Sequence, residues 1–306
     1  MKKNGRRTMK PDFLCIGAQK AATTWLYMQM RKHPQIWAPP IKELNFFNDR
    51  SNNLYKRLFS KHWIDKNWRK LFKQKMFSSL PHEKRDRKKY FGWYLKYFFS
   101  PRSLRWYMSL FPPDPGKISG EFSVFYSVLR EKGMAHIAKK FPHVKIIYIL
   151  RSPVFRTWSQ VKMNLLKIQG HNLEQLSEER LHKYFNNPLI KSHSDYIDRI
   201  NVLEKHFSPG QIFIGFFEEI EKEPAVFLEK VFAFLGVDFP EEIYAEGLDM
   251  KANVGIALDI PGKYSTYLSK MYYPQIKQLH RIFNNRYTKE WLDAAEKILR
   301  QDKETK

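Results

Sequence analysis

Short apolar runs alternate with longer segments of helical spacing along this chain. Phe13-Leu14-Cys15-Ile16-Gly17 is an apolar stretch bounded by turn-capable residues, which predicts a short buried strand. The spacing then predicts a helix over residues 22–32, with Thr23 and Thr24 in its first turn and Trp25, Leu26 and Met30 turned inward. His33-Pro34 ends it, because a residue before proline avoids the α region. The run Val144-Lys145-Ile146-Ile147-Tyr148-Ile149-Leu150 is rich in branched residues and predicts a second strand, and residues 211–217 predict a third. Helical spacing covers 154–166, 197–207 and 225–235, the last stopped by Gly236. It resumes over 264–300. Pro112, Pro113, Pro115 and Gly116 mark a loop. Strands alternating with helices argue for an α/β fold around a mainly parallel sheet.

Composition adds a partner class. The chain has 306 residues, with 54 Lys+Arg against 31 Asp+Glu, a formal charge of +23. Hydrophobic residues make up 43% and aromatics 16%, enough for a core, so a disordered basic chain is excluded. The sign of the charge points to an anion: nucleic acid, lipid, acidic glycan or nucleotide phosphate. Residues 51–111 are basic and aromatic, with Trp63, Trp68, Trp93 and Trp106. The single cysteine, Cys15, excludes an intrachain disulfide and any Cys/His metal framework, and fits a reducing compartment. No long apolar region follows the basic residues 1–10, and the longest apolar runs are strand-sized. A cytoplasmic protein without a membrane span is therefore expected.

Three segments carry candidate chemistry. Gly17-Ala18-Gln19-Lys20-Ala21-Ala22-Thr23-Thr24-Trp25 joins the first strand to its helix. A small-residue loop at a helix start turns backbone N–H groups toward one concavity, and Lys20 and two hydroxyls suit a phosphate or sulfate. The loop lacks the second glycine of G-x-x-x-x-G-K-[ST], and the second strand ends in Leu150-Arg151 rather than a magnesium-binding aspartate. Arg151 stands at the carboxyl end of that strand, where ligands of open α/β sheets sit, and can fork onto a phosphate, with Ser159 eight residues on. Lys42-Glu43-Leu44-Asn45-Phe46-Phe47 follows Pro39-Pro40 and offers a carboxylate as general base, its pKa set between burial and the neighbouring lysine. Each segment also has a plain reading as a turn, a surface ion pair and a solvated loop.

Taken in order, the three segments resemble the sulfotransferases that use 3′-phosphoadenosine 5′-phosphosulfate (PAPS), in the branch containing bacterial and heparan sulfate enzymes. The Gly17 loop is similar to that family's 5′-phosphosulfate loop. Leu150-Arg151-Ser152-Pro153, with Arg156 and Ser159, resembles its 3′-phosphate motif. Lys42-Glu43, with Phe46-Phe47, resembles its base segment K-E-x-H-F-F. Further similarities are Trp106-Tyr107 and Phe111 followed by Gly120-Glu121, then Phe207, Gln211-Ile212, Glu219 and Phe234-Leu235-Gly236. Asn45 replaces the common histidine, and Phe122 stands where some members have lysine.

The resemblance implies a P-loop-like parallel sheet flanked by helices in one domain. It spans residues 11–306 after a basic tail over 1–10, with an aromatic and basic helical insertion near 51–115 and acceptor-site elements near 165–195. It implies metal-independent sulfuryl transfer from PAPS, with 3′-phosphoadenosine 5′-phosphate (PAP) as the product, to a hydroxyl or amine of a carbohydrate or small-molecule acceptor. Glu43 would be the base, and Lys20 would stabilise the leaving phosphate. Gln19, Lys20, Ala21, Ala22, Thr23, Thr24, Trp25, Arg151 and Ser159 would hold the nucleotide, with Lys251 and Asn253 from a C-terminal loop. Lys42, Asn45, Phe46, Glu121, His171 and His193 are candidate acceptor residues, the two histidines flanking the 173–190 segment. An anionic acceptor would give the surplus basic charge a use. Two other functions compete: a P-loop nucleotide kinase, and a basic nucleic-acid binder stacking bases on its tryptophans.

Overall fold

A computed structural model of the chain describes residues 10–48, 66–77, 81–111, 114, 116–170, 176–244, 248 and 259–304. The first apolar run forms strand β1 (Phe13–Gly17), buried at every residue. Helix α1 (Thr23–Met30) and the two-residue strand β2 (Ile36–Trp37) follow. Three helices come next: α2 (Lys66–Phe77), α3 (Pro81–Phe99), which kinks at Tyr90, and α4 (Leu104–Ser109). Strand β3 (Ile118–Phe122), helix α5 (Glu131–Lys140), strand β4 (Lys145–Leu150) and helix α6 (Pro153–Val161) continue the α/β alternation. Helices α7 (Glu178–Phe185), α8 (Pro188–Ser192) and α9 (Tyr196–His206) precede strand β5 (Ile212–Phe216). Helices α10 (Phe217–Lys222), α11 (Pro224–Leu235), α12 (Glu241–Tyr244), α13 (Gly262–Phe283) and α14 (Arg286–Glu304) complete the described chain.

The sheet is parallel throughout, in the order β2-β3-β1-β4-β5. The chain leaves β1 toward β2 and β3 on one side, then crosses to β4 on the other. The carboxyl end of β1 is therefore the switch point, where such sheets open a crevice for ligands. The ends of β3, β1 and β4 bring Ser123, Gly17 and Arg151 to that edge.

The predicted strands at 13–17, 144–150 and 211–217 match β1, β4 and β5 to within one residue at each end. Trp25, Leu26 and Met30 are buried as expected, yet α1 also buries Thr23, Tyr27 and Gln29, so it is covered on more than one side. Strands β2 and β3 lack a sequence signal. The first has two residues, and the second reads Ile-Ser-Gly-Glu-Phe, with a glycine and a carboxylate inside. The helical spacing over 154–166 is α6 continued by a π-helical segment, Lys162–Ile168. The spacing over 264–300 belongs to two helices, separated at Asn284, whose φ of 43° lies in the left-handed region. Of the expected loop over 112–116, only Asp114 and Gly116 are among the described residues.

Cys15 is buried in β1, and desolvation pushes its thiol up to about 12, so it is unreactive at neutral pH. Among the described residues no helix is long and apolar enough to cross a membrane.

Gly120 pairs with Phe13 across the β1–β3 seam, and a Cβ built there would overlap the Phe13 ring. Gly120→Ala is expected to lower the unfolding free energy by about 1–3 kcal/mol, the usual cost of overpacking a core. Gly92 lies on the exposed side of α3, where an added Cβ meets nothing within 4 Å. Gly92→Ala is expected to act in the opposite direction, by about 0.4–1 kcal/mol. Urea unfolding midpoints measure both, and an unchanged midpoint for Gly120→Ala would contradict the tight seam.

Candidate functional site

The loop after β1 is built from residues in unusual backbone conformations. Lys20 has φ 72° and Ala22 φ 58°, both left-handed, and Gly17 has φ 141°. The Ala18 amide donates to the Ile149 carbonyl at 2.7 Å, tying the loop to the neighbouring strand. Ala22 occupies the N-cap of α1 without offering a side-chain acceptor, and no acidic residue stands in the first turn. The first turn of α1 therefore carries no acidic side chain or side-chain cap of its own, the arrangement an anion site uses. Thr23 and Thr24 sit in that turn. Trp25 is buried in the core against Phe227, with 6.4 Å between ring centroids, so its side chain is a packing element.

Arg151 follows β4 directly. Its Nη1 donates to the Lys20 carbonyl at 2.8 Å, which binds the two candidate phosphate segments together. The guanidinium lies 3.9 Å from the centroid of the Phe217 ring, and the Tyr196 hydroxyl donates to the Arg151 carbonyl at 2.8 Å. Its Nε is buried without a hydrogen-bond partner among the described residues. Burial holds the guanidinium pKa below its usual value, against the opposing charges of Glu218 and Glu221. Ser159 lies half-buried on α6, and Gln19 and Lys20 are half-buried in the loop. Lys20 Nζ reaches the Met163 sulfur, a weak acceptor, at 3.7 Å.

The base segment is fixed against the end of β3 and the first turn of α1. Glu43 (φ 63°) and Asn45 (φ 52°) both adopt left-handed backbone. The Glu43 amide donates to the Phe122 carbonyl at 2.9 Å, and Glu43 Oε2 accepts from the Val124 amide at 3.1 Å. Lys42 Nζ stands 3.2 Å from Glu43 Oε1 and 3.1 Å from each of the Thr23 and Thr24 hydroxyl oxygens. One ammonium therefore joins the base to the first turn of α1. Burial raises the Glu43 pKa above the ordinary carboxylate range, and the Lys42 charge and the Val124 amide oppose that rise.

Glu121 is 1% exposed, so its carboxylate has no open surface to offer an acceptor. It accepts from the hydroxyls of Tyr107 (2.5 Å), Tyr126 (2.9 Å) and Ser123, and from the Asn45 amide at 3.2 Å. This cluster fixes the loop that carries Glu43. Phe46 stacks on Tyr107 at 4.7 Å, and Arg102 donates to the Leu44 carbonyl at 2.9 Å. Asn45, in the usual histidine position, accepts at Oδ1 from Asn48 at 3.0 Å.

His193 is 1% exposed and packs edge-on to Phe125. Burial, with the Arg156 charge beside it, pushes its pKa down to about 3, so it is a neutral wall residue at physiological pH. Arg156 is itself fully buried and donates to Ser194, Gln160, Thr157 and the Ile190 carbonyl, which ties α6 to the 190–194 segment. His171, Lys251 and Asn253 lie outside the described residues.

Sequence reasoning did not single out Arg102, Ser123, Tyr126, Phe217 or Glu218 as site residues. Glu218 accepts from the Ser152 amide at 3.1 Å, beside Arg151. All five reach the site through contacts distant along the chain, and no local pattern marks them. Among the described residues no cluster of His, Cys, Asp and Glu could hold a metal ion.

Solved structures with the same fold include a sulfotransferase from Alicyclobacillus acidocaldarius. It is 22% identical, with a TM-score of 0.60 over 92% of this chain and 98% of that one. The sulfotransferase domain of the Synechococcus PCC 7002 olefin synthase is 16% identical, with a TM-score of 0.52 over 97% of both chains. At such identities the likeness establishes the fold. No curated protein sequence matches the chain at a significant level. The model of the sulfotransferase family matches residues 11–241, three quarters of the chain, and the protein belongs to that family.

Proposed function

We propose that this sulfotransferase moves the sulfuryl group of PAPS to a hydroxyl or amine of a carbohydrate or small-molecule acceptor, with Glu43 as general base. The observation that supports this most is the Lys42 bridge, which sets a carboxylate near the hydroxyls of a helix start that has no side-chain cap. The chain's residues suit the nucleotide. The first turn of α1 has no acidic residue or side-chain cap, and Arg151 Nε is a buried donor that a phosphate oxygen would satisfy. Thr23, Thr24, Lys20 and the loop amides would hold the 5′ side, and Arg151 and Ser159 the 3′-phosphate. PAPS, when bound, supplies an activated sulfuryl group whose transfer leaves negative charge on the 5′-phosphate.

The chain's own part is alignment, proton removal and charge stabilisation. Glu43 takes the acceptor proton at a carboxylate oxygen, and its raised pKa makes it a stronger base than a solvated carboxylate. Lys42 keeps it ionised and aimed. Lys20 and the positive end of α1 stabilise the developing phosphate charge, as cations do in phosphoryl transfer. The helices α2 to α4, with the 176–195 region, would shape the acceptor side. Family membership favours sulfuryl transfer over the kinase and nucleic-acid readings. Of the four tryptophans in the base-stacking reading, Trp93 and Trp106 are buried, and Trp63 lies outside the described residues.

Glu43→Gln is expected to cut kcat by about 10²–10⁴-fold with PAP affinity unchanged; turnover near that of the wild type would remove Glu43 from the base role. Only ionised Glu43 can accept a proton, so turnover should fall as pH drops through its raised pKa. Lys42→Met removes the opposing cation and should move this acid limb to higher pH, as read from the pH–rate profile. An unmoved limb would contradict the coupling. Arg151→Ala should weaken binding of PAP while sparing adenosine 5′-phosphate, measured by calorimetry. Equal losses for both nucleotides would refute a 3′-phosphate role.

A further inference from the structure

Nearly half of the surplus charge lies far in sequence from the nucleotide loop. Residues 66–109 contain thirteen Lys+Arg and two Asp+Glu. Beyond its kink, α3 divides into two faces. Trp93, Tyr94, Tyr97 and Phe98 are buried, and Trp93 stacks on Tyr97 at 5.1 Å. Phe91, Leu95 and Phe99, spaced four apart, are 49%, 40% and 52% exposed, Phe99 with one edge against the Phe72 ring of α2. Lys96 lies in the same exposed stripe, and Lys84, Arg85, Lys88 and Lys89 are exposed on the preceding turns. Asp86 of α3 is engaged by Arg31 at 3.5 Å. An exposed apolar stripe among lysines is the pattern of a helix that lies in a bilayer interface.

We propose that the outer face of α3 docks on an anionic phospholipid bilayer, with Phe91, Leu95 and Phe99 entering the interface and the flanking lysines meeting lipid phosphates. Charge complementarity selects the lipid, since lysines near an anionic leaflet each strengthen attachment. The apolar stripe separates this partner from nucleic acid, because four of the five aromatic residues from 93 to 99 point into the core and are withheld from stacking on bases. The mode is peripheral, as no described helix can cross a membrane. On its buried side α3 packs through Tyr97 on Trp106, which neighbours Phe46 of the base segment, and Arg102 holds the Leu44 carbonyl there. The proposal does not depend on which acceptor is used.

The test is vesicle flotation of the full chain, with phosphatidylcholine alone or mixed in equal parts with phosphatidylglycerol. Binding is expected to the mixed vesicles and to be weak on the neutral ones. The triple variant Phe91→Ser, Leu95→Ser, Phe99→Ser should bind mixed vesicles about tenfold more weakly, with PAP affinity and thermal midpoint retained. In a second variant, Leu95→Trp, the new indole should be quenched by brominated lipid, which reports insertion even if the triple variant folds poorly. Undiminished vesicle binding by a folded triple variant, or no quenching at position 95, would overturn the proposal. Equal displacement by DNA of both the wild type and that variant would assign the face to general polyanion attraction instead.

Discussion

The Lys42 ammonium is the contact on which the geometry of the site depends. It lies within 3.2 Å of the Glu43 carboxylate and 3.1 Å of two threonine hydroxyls in the first turn of α1. A short, mostly buried triangle of this kind does two things at once. It fixes the distance between the candidate base and the helix end that would hold a phosphate. It also sets the protonation of the base, since burial alone would push Glu43 further toward its neutral form. Position and basicity are thus controlled by one charge.

A second buried charge supports the first. Glu121 collects two tyrosine hydroxyls, a serine hydroxyl and the Asn45 amide, and so joins β3, α4 and the base loop. A loop with left-handed backbone at both Glu43 and Asn45 is unfavourable in isolation, and it persists where surrounding contacts over-determine it. Glu121 supplies those contacts, and Phe46 and Phe47 add rings packed on Tyr107. Desolvation raises the Glu121 pKa, and its hydroxyl and amide donors pull it back toward ionisation. On the side proposed to hold the nucleotide, the Arg151 bond to the Lys20 carbonyl plays the equivalent part.

The sequence exposes what is local and hides what is distant. Strands β1, β4 and β5 are legible because apolar runs are rare enough to stand out, and α11 is legible from its proline start and its Gly236 stop. Strand β3 is not, because its two informative residues take their meaning from partners elsewhere. Gly120 is small because the Phe13 ring occupies the space beside it, and Glu121 is held by the Tyr107 hydroxyl and the distant Asn45 amide as well as by nearby Ser123 and Tyr126. The motif residues Lys20, Glu43 and Arg151 are visible in order along the chain, and the fold brings their segments to one sheet edge. The bridge from Lys42 to Thr23 and Thr24 spans 19 and 18 residues and leaves no local signature. Glu121 and His193 look like acceptor residues by position, and only burial shows them to be a clamp and a wall.

The central claim is that this crevice is built for a 3′-phosphorylated adenine nucleotide without a metal bridge. Calorimetric titration of the full chain with PAP, with and without a chelator, and against magnesium ATP, tests it most directly. Saturable PAP binding that the chelator leaves unchanged, and that is much tighter than binding of magnesium ATP, is the expected result. Binding that requires magnesium and favours ATP, or no saturable binding of PAP, would contradict it.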